Sequence, residues 1–175
     1  MQMIKFLLTV LVVMLLTSCS TSLSDYEGTT PQFKLERFFN GELKAWGTFQ
    51  DINGEVVRRF YVEMIGTWDG KTGILDEDFF YADGEKQKRI WTLTHEGGNK
   101  YSGTAPDVVG KAFGEVNGFA FNWQYTMSLP VDDEVYEVHF DDWMYLVDEK
   151  NVINRAEVSK FGVTVGEVII HIQKM

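Results

Sequence analysis

The residue that most demands a chemical role is Asp142. By alternation it shares a strand face with Tyr136, Val138, Phe140, Met144 and Leu146. A lone carboxylate on an apolar face is costly to bury, so it should be hydrogen-bonded, paired, or shifted toward its neutral form. Arg89, on a face with Trp91 and Leu93, is the first candidate partner, and Arg59 and Arg155 are the others. Two readings stand. One is a structural ion pair inside or beneath the fold. The other is a polar anchor at the bottom of a pocket, where an arginine meets a ligand carboxylate or headgroup. In the second reading Phe121, Trp123, Tyr125 and Phe140 line the pocket, with Asp142 and Arg89 as its polar end.

Other groups offer less. His95, His139 and His171 stand far apart in sequence and do not form a metal motif. Asp76-Glu77-Asp78 and Asp132-Asp133-Glu134 lack the spacing of a calcium loop. Asp76 and Asp78 share a face with Ile74 and Phe80, which suggests a barrel rim or an arginine pair. Asp132-Asp133-Glu134 reads as a charged turn. The chain has no small-x-Ser-x-Gly elbow, glycine-rich phosphate loop or His-Glu-x-x-His, so no catalytic residue, metal or cofactor is assigned. A net charge of −10 argues against nucleic acid, which needs a basic face.

The single cysteine, Cys19, excludes an intramolecular disulfide and sits in a telling place. Met1 and Lys5 open a short charged segment, residues 6–16 are apolar, and Leu16-Thr17-Ser18-Cys19 follows. The apolar run is too short for a stable membrane span and has the flanks of a secretory signal. Its ending resembles a bacterial lipobox. Residues 1–18 are thus expected to be removed and Cys19 to carry acyl chains, palmitate-type included, that anchor the protein to a membrane. Ser20 in place of Asp favours the outer membrane, facing the periplasm. Residues 19–31 read as a lipidated polar tether.

The elements that must position these groups are nearly all strands. Residues 119–129 and 135–147 alternate most clearly, 55–66 carries Phe60, Val62 and Met64 on one side, and 163–173 is rich in β-branched residues. Asn53-Gly54, Asp83-Gly84, Asp69-Gly70 and Gly97-Gly98 supply turns. Thr30-Pro31 predicts the start of a helix over 33–39, and Pro106 opens a weaker candidate over 106–113. The prediction is an all-β fold: one antiparallel up-and-down barrel of about eight to ten strands over residues 32–175, with a short N-terminal helix. Such a barrel can hold one small ligand.

Several segments together carry a resemblance. They are Gly66-Thr67-Trp68-Asp69-Gly70, Leu75-Asp76-Glu77-Asp78-Phe79, Arg89-Ile90-Trp91, Asp107-Val108-Val109-Gly110, Trp123-Gln124-Tyr125, Asp141-Asp142-Trp143-Met144-Tyr145 and Asn154-Arg155. With the lipobox they resemble an uncharacterised family of proteobacterial lipoproteins, domain of unknown function 3833. The resemblance implies a lipocalin-like barrel and gene neighbours that modify membrane fatty acids. It brings no catalytic residues. The expected function is binding or carriage of a small apolar ligand, fatty acid or lipid-like, in the envelope. The alternatives are a packed barrel that meets a protein partner through its acidic surface and, third, a hydrolase-type enzyme. Alternation alone does not say which strand face points inward.

Overall fold

The computed structural model of the protein describes residues 21–131 and 134–175. Ten strands follow one another in chain order: β1 (Gly41–Asp51), β2 (Val56–Asp69), β3 (Thr72–Tyr81), β4 (Lys86–Gly97), β5 (Lys100–Thr104), β6 (Ala112–Asn117), β7 (Ala120–Val131), β8 (Glu134–Leu146), β9 (Asn151–Lys160) and β10 (Val163–Lys174). Each pairs antiparallel with its neighbours, and β1 also pairs β10, from Leu43↔Lys174 to Asp51↔Gly166. The sheet is a closed barrel with no free edge. This is the up-and-down barrel that the alternation predicts. Asn53-Gly54 and Asp83-Gly84 turn the chain with their glycines at φ 81° and 93°, in the left-handed region where a side chain is strained.

The inward face is now fixed. Phe121, Trp123, Tyr125 and Met127 on β7, and Val138, Asp142 and Leu146 on β8, are buried inside the barrel. Trp91 and Leu93 on β4 and Val62 and Met64 on β2 meet them across the lumen. A close approach makes room for the largest ring, since a Cβ on Gly103 would stand 2.9 Å from the Trp123 indole.

The two ends of the barrel differ. One is stoppered by residues 33–39, which include a short helix α1 (Leu35–Phe38). Phe33, Leu35, Phe38 and Phe39 are all buried there, each contributing about 2 kcal/mol by leaving water. The Phe33 amide donates to the Gly118 carbonyl (2.8 Å), and the Trp68 indole N–H donates to the Phe39 carbonyl (2.8 Å). The helix begins later than the sequence suggests, at Leu35 rather than 33, with Lys34 in extended backbone at φ −132° and ψ 115°. The other end, ringed by the β1–β2, β3–β4, β5–β6, β7–β8 and β9–β10 connections, carries no such plug among the described residues. Ile52, Val135, Phe161 and Val163 stand exposed around it.

Residues 106–113 do not form a helix. Val108 makes a bridge to Met127, the Val109 amide donates to the Thr126 carbonyl (2.9 Å), and the segment lies against β7 as an irregular loop. Residues 22–31, read above as part of a tether, are laid on the closed end. Ser22 caps a 3₁₀ turn at Leu23–Tyr26, and the Tyr26 ring packs 5.2 Å from Phe119 and 5.7 Å from Tyr145. Cys19 and residues 1–18 lie outside the described residues. No helix among the described residues is long and apolar enough to cross a membrane.

Candidate ligand site in the barrel interior

Six side chains were singled out from sequence as pocket residues, and all six point into the barrel. They do not form one uniform lining. Phe121 and Trp123 belong to the filled half near the plug, where Phe121 meets Phe33 and Tyr101 edge-on with centroids 6.0 Å apart in each pair. Tyr125 stands higher, stacked on Phe140 at 4.9 Å and edge-on to Trp91 at 5.4 Å. Above this layer the packing loosens. Phe49, Phe60, Val168 and Ile170 alternate inward but are only partly buried. In a closed wall such side chains are reached through the lumen, so the half toward the unplugged end is accessible.

At the boundary between the two halves lies a polar cluster. Arg89 of β4 donates through Nε to both carboxylate oxygens of Asp107 (3.1 and 2.9 Å), and its Nη2 approaches Asp107 Oδ2 at 2.8 Å. This two-pronged pairing is the geometry a guanidinium makes best. Nη2 also meets Met127 Sδ at 3.4 Å, while Nη1 lies 3.9 Å from Glu77 Oε2 on β3. Arg89 and Glu77 side chains are each 12% exposed. Gln87 donates to Asp107 (3.5 Å) and bonds Tyr81 (3.1 Å), extending the network toward the open end. Asp142 accepts from Asn154 Nδ2 at 3.2 Å and from the Tyr125 hydroxyl.

The expected direct pairing of Arg89 with Asp142 is not made. Asp107 descends from the β5–β6 loop and takes the guanidinium instead, leaving Asp142 to neutral donors. Arg59 is exposed on the outer wall, and Arg155 is likewise outside, bonded to Glu167.

The electrostatics follow from this division. Burial pushes the Glu77 carboxyl up to about 7, against the pull of Arg89, and the Asp107 charge adds to the rise. Burial pushes Asp142 up to about 6, with the Asn154 and Tyr125 hydrogen bonds partly offsetting it. The Tyr125 hydroxyl is raised well above its usual range by burial and by Asp142. Burial also works against the charge on Arg89, but Glu77 and Asp107 outweigh it and keep the guanidinium firmly protonated. Glu77 Oε2 is buried and has no hydrogen-bond partner among the described residues.

The profile of a family described as a protein of unknown function, DUF3833, matches residues 13–174. The chain belongs to this family. No curated protein sequence matches it. Among solved structures, the S-type phycobiliprotein lyase CPES from Guillardia theta shares the fold at 7% identity, with a TM-score of 0.57 over 78% of this chain and 88% of that one.

In this DUF3833 barrel, Glu77 and Asp107 are the polar residues that sequence reasoning missed. Glu77 carried a signal, since it alternates with Leu75, Phe79 and Tyr81. Its neighbours Asp76 and Asp78 drew notice instead, yet they lie on the outer wall with Lys88 (2.7 and 3.3 Å). Asp107 carried none, because only the folded loop brings it to Arg89. The histidines stay apart: His139 is exposed, His171 stacks on Trp46 outside, and His95 stacks on Tyr101 at the closed end. No group of His, Cys, Asp and Glu among the described residues could hold a metal ion. A cleft of about 340 Å³ lies beside the plug, lined by Phe33, Lys34, Glu36, His95, Tyr101 and Asn117 among others. Within it the Tyr101 hydroxyl donates to Glu36 (2.8 Å) and the His95 ring bonds the Gly98 carbonyl (3.0 Å). Asp132 and Asp133 lie outside the described residues.

Proposed function

We propose that this DUF3833 protein is a lipid-anchored envelope protein whose barrel binds one small, mostly apolar molecule in the half facing the unplugged end. The observation that supports the reading is the loosened upper lumen over a buried charged cluster. A barrel built only as a scaffold gains nothing from leaving Phe49, Phe60, Val168 and Ile170 partly uncovered above a carboxyl with an unmet hydrogen bond. The fold shared with a phycobiliprotein lyase supports a ligand-binding reading of the barrel. Anchoring is supported by the lipobox-like Leu16-Thr17-Ser18-Cys19.

Native mass spectrometry of residues 20–175, exported to the periplasm and purified without detergent, tests the binding reading. A stoichiometric co-purifying lipid-like molecule is the expected result. An empty barrel that also ignores added amphiphiles would overturn it and favour the packed-barrel, partner-binding alternative. Labelling cells with radioactive palmitate tests the anchor: wild type should incorporate label and Cys19→Ser should not.

A further inference from the structure

The mouth of the barrel carries apolar side chains that the fold itself does not use. The β7–β8, β9–β10 and β1–β2 hairpins stand side by side around it. On them Val135 is 68% exposed, Phe161 94%, Val163 66% and Ile52 70%, and the exposed Val56 and Val57 continue the arc. Phe161 is the sharpest case. With Gly162 it forms a two-residue turn between the paired Lys160 and Val163, at φ 52° and 76°. Such a turn favours Asn or Gly at its first position, so a phenylalanine there is strained. Its ring meets the Lys160 ammonium, 5.5 Å from the centroid, and is otherwise left to solvent. A large side chain that costs stability and stays uncovered points to a contact outside the molecule.

The charges around the arc select what could cover it. Arg58 and Lys86 balance Asp83 and Glu85 of the β3–β4 hairpin, with Arg58 bonded to both carboxylates. Arg155 is bonded to Glu167, and Lys111 stands on the far side of the mouth, in the β5–β6 connection. The three apolar hairpins then keep Asp51, Glu55, Glu134, Glu137 and Glu157 against Arg59 and Lys160, the latter 3.4 Å over the Tyr136 ring. Asp132 and Asp133, between β7 and β8 in sequence, add to the negative side. A second copy would set like charge against like, and anionic headgroups would be repelled in the same way. A protein face with apolar side chains among lysines or arginines satisfies both features at once. We infer that the arc is a docking surface for a partner protein of that chemistry, an apolar patch bordered by basic side chains. The inference does not depend on what the lumen holds.

Fluorescence anisotropy with a short amphipathic helix of leucines and lysines tests it on residues 20–175, which hold the whole closed barrel. The comparisons are the same helix with glutamate for lysine, and vesicles of phosphatidylcholine and phosphatidylglycerol. The basic helix should bind about tenfold more tightly than the acidic one. Phe161→Asn with Val163→Thr, which keeps a favourable turn, should weaken it about tenfold. Glu55→Gln with Glu137→Gln should weaken it about threefold and flatten its salt dependence. Ile65→Ser, exposed on the outer wall toward the closed end, should change it less than about twofold. Binding that ignores the Phe161 pair, depends equally on Ile65, or shows no preference for the basic helix would overturn the docking surface. Tighter binding to the vesicles, or a Phe161-dependent dimer in analytical ultracentrifugation, would overturn the partner in favour of a bilayer or a second copy.

Discussion

Glu77 makes the stability of this barrel depend on pH in an unusual direction. A carboxyl whose folded value is raised binds a proton more readily folded than unfolded. Its presence is then harmless below the unfolded value, increasingly destabilising as pH rises from there, and fully so above the folded value. With 4.5 as its ordinary value and about 7 in the barrel, the burden grows between those limits and reaches about 3 kcal/mol when Glu77 is fully ionised, at about 1.4 kcal/mol per tenfold. Glu77→Gln keeps the shape and removes the charge. Wild type and variant should therefore have similar stability near pH 4.5, and by pH 8 the variant should be more stable by about 2–3 kcal/mol. For a domain of this size that is a melting-temperature gap of roughly 5–10 °C. Urea unfolding followed by tryptophan fluorescence at pH 5, 6, 7 and 8 and constant ionic strength measures it. A gap that stays constant with pH, or a wild type more stable than Glu77→Gln at pH 8, would show that attraction to Arg89 outweighs burial and would refute the reasoning.

Asp142→Ala leaves Asn154 Nδ2 and the Tyr125 hydroxyl without their buried acceptor and should cost about 3 kcal/mol in urea unfolding at pH 5. Gly103→Val would drive its side chain into Trp123 and Leu93, 2.9 and 3.0 Å from the Cβ position, and should lose at least about 2 kcal/mol along with the near-ultraviolet tryptophan dichroism. Phe161 is 94% exposed and held at φ 52°, so Phe161→Gly should raise stability by about 1 kcal/mol, read as a higher urea midpoint.

The wall of the barrel was legible because its signal is local. Every second residue of β7 and β8 is apolar, and the glycines at 54 and 84 sit where the hairpins turn. Asp142 announced itself by breaking that pattern. Glu77 broke the same pattern on β3 but was hidden by the outer face, where Ile74 and Phe80 imitate an inward stripe. Phe80 is in fact stacked on Tyr61 outside, at 4.6 Å. The partners were illegible for a different reason. Asp107 reaches Arg89 only through a loop docked on β7, and the plug depends on bonds from Phe33 to Gly118 and from Trp68 to Phe39, all distant in sequence. The proline at 106 suggested a helix because nothing local reveals a bridge to Met127.

The way residues 22–31 are fastened to the plugged end governs how the molecule would stand on a bilayer. Only Ser20 and Thr21 separate Cys19 from Ser22, which caps the turn that carries Tyr26, so three Cα–Cα steps join them. Their fully stretched length is about 10 Å. Acyl chains on Cys19 would thus seat the stoppered base against the lipid headgroups and aim the aperture at the water beyond. A molecule entering or leaving would have to cross that water or be handed over by another protein. It would not slide sideways from the leaflet underneath.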